Sequence, residues 1–532
     1  MRTRRLILPL IPLSLAGLVL AGCATTIALP TETSDTSGGS QTSQSETTVA
    51  TTTDTTAEAV LAANENATVV RDDEWSASDA SEITLTGDGA TTSASGVTTE
   101  EGTVTITESG VYRLSGDLTG SVVVAAPDDA LVVLILDGVT ITNADGPAIE
   151  VVTADDVAVS LAEGSTNTLS DASSYADDAD ANAALYSAAD LTITGTGSLT
   201  VAGNGNDGIA GTDDLAVLSG TITVTAVDDG LRGEDSVSIE GGTVSIDAGG
   251  DAIKSDNEEE DTRGYILLED GAVDLTAGDD GLDAYTDIVI TGSTLSVAAS
   301  GDGAHADSVL VVAGGTVIVT ESYEALEAPA VTIEGGEIDI TASDDGINAA
   351  SPTSTGGGMA DTGETIDVNG GTVVVRAGGD GLDSNGSLTM SGGSLTVFGP
   401  QGARGDGALD ANGAFAVTGG TLVTVGGAGV AQASGDSSTQ PWLSATASGS
   451  AGDLIELVDD AGETVLSLTA EVSFSTIVIS SPDLVADAEY TVMVAGESVT
   501  TVTEGTATIG QGGPGGQPGG GAGGPGGGGQ RL

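Results

Sequence analysis

The sequence of 532 residues predicts an all-β chain, a parallel β-helix of about 22 residues per coil followed by a small C-terminal β domain. Three observations predict it. Between residues 206 and 425 one motif recurs nine times, opened by an acid at 207, 229, 251, 280, 302, 324, 345, 380 and 406. The steps of 22, 22, 29, 22, 22, 21, 35 and 26 show a basal period with occasional insertions, as in a solenoid. Each period holds three short apolar pieces parted by turn residues, too little to bury anything unless neighbouring copies stack into a common core.

The elements follow in order. Arg2, Arg4 and Arg5 precede an apolar run over 6–19, too short and too rich in proline for a spanning helix. The run ends in Leu20-Ala21-Gly22-Cys23, which resembles a bacterial lipoprotein lipobox. That resemblance implies a signal peptide over 1–22 and a lipid-modified Cys23 that anchors the chain on the outer side of the cell membrane, at the cell surface; an ordinary secretory signal is the alternative. Residues 23–66 are rich in Thr and Ser and read as a flexible tether. The β-helix is expected over 67–434. It begins with strands of degenerate spacing at 83–85, 104–106, 111–114, 122–124 and 131–136, as terminal coils of a solenoid should.

Within the regular copies the residues after Gly-Gly alternate, with Val244/Ile246, Leu295/Val297, Ile338/Ile340 and Leu395/Val397 directed inward and Ser245, Ser296, Asp339 and Thr396 outward. Insertions near 258–261 and over 351–364 fall at turns. From 435 to 510 the period vanishes and short apolar strands suggest an antiparallel domain that covers the open end. A Gly/Pro-rich tail, expected to be disordered, fills 511–532.

The composition narrows the function. Eighty acids face 11 Lys and Arg, a formal charge of −69, so nucleic acid and anionic lipid headgroups are repelled. A polyanionic partner would be held through bridging cations. Aromatic residues make up 2% of the chain, which leaves little for stacking platforms, and the single cysteine excludes an internal disulfide.

If the coils stack in register, Asp207, Asp229, Asp251, Asp280, Asp302, Glu324, Asp345, Asp380 and Asp406 form one column. Asp228, Asp279 and Asp344 precede a column acid, and Asp283, Asp383 and Asp410 lie close by. Adjacent strands are about 4.8 Å apart, so each pair repels by roughly 0.9 kcal/mol in bulk water and about 3.5 kcal/mol at an effective dielectric of 20. Such repulsion demands raised pKa values or intervening cations. Two calcium–oxygen bonds of about 2.3–2.6 Å span one coil spacing, so calcium is the expected cofactor and these acids its expected ligands. The competing reading is that Asp-Gly merely makes the turn.

A resemblance accompanies these residues. Ala184-Leu185-Tyr186-Ser187, Asp190-Leu191-Thr192-Ile193, Asp207-Gly208-Ile209 and Asp229-Gly230-Leu231-Arg232-Gly233, with recurrent Gly-Gly-Thr, resemble the carbohydrate-binding domain family of calcium-containing right-handed parallel β-helices over about residues 70–510. The resemblance implies an exported bacterial surface protein with a pectate-lyase-like fold that binds acidic polysaccharide such as polygalacturonate without cleaving it. The expected partner is therefore an acidic glycan held through calcium by a monomeric chain.

Beside the column, Tyr285 and Tyr323 are candidates to pack on sugar rings, although turn packing explains them equally. Arg232 and Lys254, three places after their column acids, are ligand-binding candidates. They are also the residues able to serve as the base of a uronate lyase, the alternative function, or simply to neutralise neighbouring acids. His305, alone of its kind, is assigned no role. A structural or adhesive surface spine is the third reading. The Thr column of 221, 243, 294, 316, 372 and 421 is expected to be ordinary strand chemistry.

Overall fold

The computed structural model describes residues 54–176, 178–351, 360–400, 407–427 and 437–506. The described residues are all-β apart from one short helix and one 3-10 turn. The strands form two long sheets and a small antiparallel one.

Between residues 183 and 426 each repeat supplies one strand to each of three parallel ladders. Ladder I runs through Leu231–Gly233, Ile253–Ser255, Leu282–Ala284, His305–Ala306, Leu326–Glu327, Ile347–Ala349, Leu382–Ser384 and Leu409–Ala411. Ladder II includes Ser236–Ile239, Tyr265–Leu268 and Asp287–Ile290, and ladder III includes Thr243–Ala248, Ala272–Ala277 and Thr294–Ala299. Equivalent residues pair in register, as in Leu231 with Ile253, Val237 with Ile266 and Val244 with Val273. The parallel stacking expected of the repeat is therefore present. Ladders II and III belong to one sheet because early strands such as Leu131–Thr142 run through both.

The alternation read from the sequence sets the packing. Val244, Ile246, Leu295 and Val297 are at most 2% exposed and join one apolar core that extends from Ile83 to Leu422, whereas Ser245, Ser296, Asp339 and Thr396 lie outside it. The Gly-Gly pairs make the turn from ladder II to ladder III. Gly242 sits at φ 92°, a conformation a side chain disfavours. The glycine of Asp-Gly has a different cause. At Gly230 a Cβ would lie 2.6 Å from the carbonyl oxygen of Ala252 in the next repeat, so close packing at the corner excludes a side chain.

Three segments differ from expectation. Residues 54–66, assigned to the tether, are folded: Ala57–Ala63 forms helix α1, capped by the Thr56 side chain on the Ala59 N–H, and buries Ala57 and Val60 against Val289 and Val311 of ladder II. From there the chain runs along ladder II as a strap. Asn64 Nδ2 donates to Asp287 Oδ2 at 3.0 Å, the Thr68 N–H to Asp214 Oδ2 at 2.7 Å and the Val70 N–H to Thr192 Oγ1 at 3.0 Å. Residues 81–106 form two antiparallel pairs, Ser81–Gly87 with Ala90–Thr92 and Val97–Glu100 with Thr103–Ile106, in place of a first regular repeat. At the other end, Phe474–Ser480 pairs antiparallel with Thr421–Gly426, the last strand of ladder III, and the C-terminal strands build a second apolar core together with Phe398, Val423 and Val425 of that ladder. Cys23, the rest of the tether and the Gly/Pro-rich tail lie outside the described residues.

Candidate functional site

The corner that leads into ladder I carries the acids, and register sorts them into three columns where the sequence suggested one. The first holds Asp207, Asp229, Asp251, Asp280, Asp302, Glu324, Asp345 and Asp380. Seven of the eight carboxylates accept a backbone N–H of the next repeat, whereas Glu324 Oε2 accepts from Asn348 Nδ2 at 2.7 Å. Asp229 N–H donates to Asp207 Oδ1 at 3.2 Å, Asp251 to Asp229 at 2.9 Å, Asp280 to Asp251 at 2.9 Å, Asp302 to Asp280 at 2.5 Å, Glu324 to Asp302 at 2.9 Å and Asp380 to Asp345 at 2.5 Å. The Gly407 N–H donates to Asp380 Oδ1. Asp406, the last acid expected in this column, lies outside the described residues.

This ladder corrects the expectation that only protons or cations offset the repulsion. A backbone donor on a carboxylate is a charge-assisted hydrogen bond, and it recurs down the stack. It also corrects the view of Asp-Gly as a mere turn former, because the acid here joins one repeat to another. Burial works in the opposite direction. It pushes the carboxyl of Asp207 up to about 6, those of Asp229 and Asp280 to about 7, and those of Glu324 and Asp380 to about 8, with neighbouring carboxylates adding to the rise at Asp229, Asp280, Glu324 and Asp380.

The second column is one residue earlier and intersperses glycines with large residues: Asp228, Gly250, Asp279, Gly301, Tyr323, Asp344, Gly379. Its glycines are sterically required. A Cβ on Gly250 would lie 2.6 Å from Asp228 Oδ1 and 2.7 Å from Asp229 Oδ1, and Gly301 and Gly379 face the Asp279/Asp280 and Asp344/Asp345 pairs in the same way. Two carboxylate oxygens thus converge on each of these glycines.

The third column lies on ladder I itself, where register stacks Arg232, Lys254, Asp283, His305, Glu327, Asn348, Asp383 and Asp410. Its cations are ion-paired. Arg232 Nε and Nη2 both donate to Asp256 Oδ2, at 3.0 and 2.7 Å. Lys254 Nζ bridges Asp251 Oδ2 at 2.5 Å and Asp283 Oδ2 at 2.7 Å. His305, to which the sequence assigned no role, places Nδ1 3.1 Å from Glu327 Oε2 and Nε2 3.3 Å from Asp307 Oδ1, with Asp302 Oδ2 3.7 Å from Nδ1. Those acids hold the imidazole protonated, up to about 11. The signal that would have found His305, Glu327 and Asn348 was their shared third place after the column acid.

Arg232 and Lys254 border a polar cavity of about 350 Å³ with Asn182, Asn206, Asp228 and Asp229 in its walls. Asn182 Oδ1 and Asp256 Oδ1 are buried there without a hydrogen-bond partner. Tyr285 and Tyr323 are 40% and 51% exposed. Three clusters bring potential metal-ligating atoms within 4.8 Å of one another: Asp251/Asp280/Asp283, Asp302/His305/Glu327 and Asp380/Asp383/Asp410. The donors are almost wholly carboxylate oxygens, the set that hard divalent cations prefer, and the residues fit calcium.

A family model described as carbohydrate-binding domain-containing protein matches residues 100–361 and 302–515. A carbohydrate-binding domain-containing protein of Acetivibrio thermocellus is 38% identical over 136 residues, 25% of this chain and 48% of that protein. The chain therefore spans about half the length of that curated relative. A solved structure of a polysaccharide lyase-like protein from C. thermocellum, a gadolinium derivative, is 36% identical and covers 43% of this chain and 95% of its own, with a TM-score of 0.43.

Proposed function

Because the chain belongs to the family of carbohydrate-binding domain-containing proteins, we propose that it binds acidic polysaccharide of the polygalacturonate type, without cleaving it, through calcium held on a right-handed parallel β-helix. The observation that carries this reading is the division of labour at the column acids. Oδ1 takes the backbone N–H of the next repeat, whereas Oδ2 of Asp251 meets the Lys254 ammonium and Oδ2 of Asp302 faces the His305 imidazolium. One edge of the ladder is thus built for structure and the other for positive charge. When bound, calcium supplies the charge that lets carboxylates of protein and glycan approach. The protein supplies the spacing of the acids, their fixed orientation through the backbone donors, and the exposed rings of Tyr285 and Tyr323 nearby.

The state of the two candidate bases supports binding over cleavage. A general base must be unprotonated at the working pH. Hydrogen bonds to Asp256 push the Arg232 guanidinium up, and those to Asp251 and Asp283 push the Lys254 ammonium up, in each case against the desolvation that opposes charge. Incubation with insoluble polygalacturonate tests both readings together. Retention in calcium, release by EDTA and an absence of unsaturated uronate ends are expected; unsaturated ends that disappear in Arg232→Ala or Lys254→Ala would establish a lyase.

We further propose that Cys23 is lipid-modified and holds the chain on the outer face of the cell membrane. Metabolic labelling with a fatty acid should mark the wild-type chain and not Cys23→Ser, and an unlabelled wild-type chain, or equal labelling of both, would defeat this assignment.

A further inference from the structure

One of the three clusters contains nitrogen. Asp302 and His305 stand in one repeat and Glu327 in the next, where ladder I pairs it with His305. A donor atom of each lies within 4.8 Å of the other two. All three side chains are partly exposed, open to an ion arriving from solvent.

Each carboxylate is held by one oxygen and turns the other toward the ring. Asp302 Oδ1 accepts the Glu324 N–H at 2.9 Å, and Glu327 Oε1 accepts from Asn348 Nδ2 at 3.4 Å. That leaves Asp302 Oδ2 and Glu327 Oε2 at 3.7 and 3.1 Å from His305 Nδ1. The far ring nitrogen, Nε2, lies 3.3 Å from Asp307 Oδ1. A carboxylate behind the far nitrogen is what fixes the ring of a metal-bound histidine.

The distances separate this ring from the seated cations of the same column. Charge-assisted N–H donors lie about 2.7–2.9 Å from their acceptors, and Arg232 Nη2 and Lys254 Nζ come within 2.7 Å of theirs. None of the three contacts of His305 is that short. Zinc bonds of about 2.0–2.2 Å, opened to a tetrahedral angle, set neighbouring donor atoms roughly 3.3–3.6 Å apart. The contacts of Nδ1, 3.1 and 3.7 Å, bracket that spacing.

We infer that Asp302, His305 and Glu327 bind one transition-metal ion of the zinc class through Oδ2, Nδ1 and Oε2, with Asp307 holding the ring from behind. An imidazole nitrogen between two carboxylates suits zinc, whereas calcium takes oxygen. The ion takes the place of the proton on Nδ1, which passes to solvent. This site is separate from the calcium-borne glycan reading and does not depend on it.

The chain has a single histidine, so nuclear magnetic resonance of the full chain, isotope-labelled at the histidine ring nitrogens, reports on this ring alone. Zinc chloride is added in excess calcium chloride, which occupies sites made of oxygen only. The Nδ1 signal should shift and saturate at one zinc per chain, and the Nε2 signal should move far less. His305→Gln should lose this binding, and Asp307→Asn, which alters the support of the ring and not the ion's ligands, should weaken it by roughly tenfold. Zinc that leaves both ring nitrogens unmoved, or equal zinc affinity by calorimetry in the wild type and His305→Gln, would overturn the inference. The wild-type spectrum decides the question even where a variant does not fold. A chain that binds zinc as described but ignores polygalacturonate would overturn the polysaccharide reading alone.

Discussion

At the scale of the residue, the column acid does two jobs with two oxygens. Oδ1 ties one repeat to the next, and that link was invisible in the sequence because it depends on a main-chain donor. What the sequence did show was the period that puts the acids in one file. Burial raises several of these carboxyls above the usual carboxylate range, to about 7 at Asp229 and Asp280 and about 8 at Glu324 and Asp380. The folded metal-free chain therefore binds protons that the unfolded chain releases at about pH 4. That stabilisation is complete below about pH 4 and is lost as pH rises through about 7–8, the folded values. His305 adds stability that is full below its unfolded value near 6.5 and is lost only toward 11. In EDTA the melting temperature should fall by several degrees between pH 5 and pH 8, and calcium should restore much of the loss at pH 8; a melting temperature that rises over that interval would show that the buried acids are not the controlling groups. The glycines of the second column are as specific as the acids. Gly250→Ala places a Cβ against Asp228 Oδ1 and Asp229 Oδ1 and should cost about 1–3 kcal/mol in urea unfolding.

At the scale of the element, the strap explains a pattern the sequence left open. Strands such as Leu131–Thr142 and Asp287–Ile290 begin or run as unbroken apolar series, whereas ladder III alternates. The earlier strands of ladder II are buried on both faces because residues 54–80 lie across their outer side, where Val289 and Val311 receive α1 and Val133 and Ala158 receive Val70, whereas its later strands, such as Thr365–Val368 and Ser387–Met390, alternate. The covering segment was not legible, since its Thr, Ala and Asn content resembles the tether before it and its few large apolar residues, Val60, Leu61, Val69, Val70 and Trp75, follow no strand or helix period. Val60→Asp would set an unpaired charge against Val289 and Val311 and should destabilise the fold by about 2–4 kcal/mol, measured by thermal or urea unfolding. A loss below about 0.5 kcal/mol would mean that the strap is dispensable.

At the scale of the molecule, the formal charge is −69 and part of it is filed along one corner, where backbone donors and a few cations hold the carboxylates in fixed positions. Arg232, Lys254 and His305 lie in three of the repeats between Leu231 and Ala306, and Asn348, Asp383 and Asp410 follow in the same column without a basic residue among them. Such a surface repels an acidic glycan until divalent cations intervene. Electrophoresis through a gel containing soluble polygalacturonate measures that reversal directly. With calcium in the gel the protein should be retarded relative to a gel lacking the glycan, and with EDTA it should migrate freely; equal mobility in all gels, or retardation that survives EDTA, would contradict it.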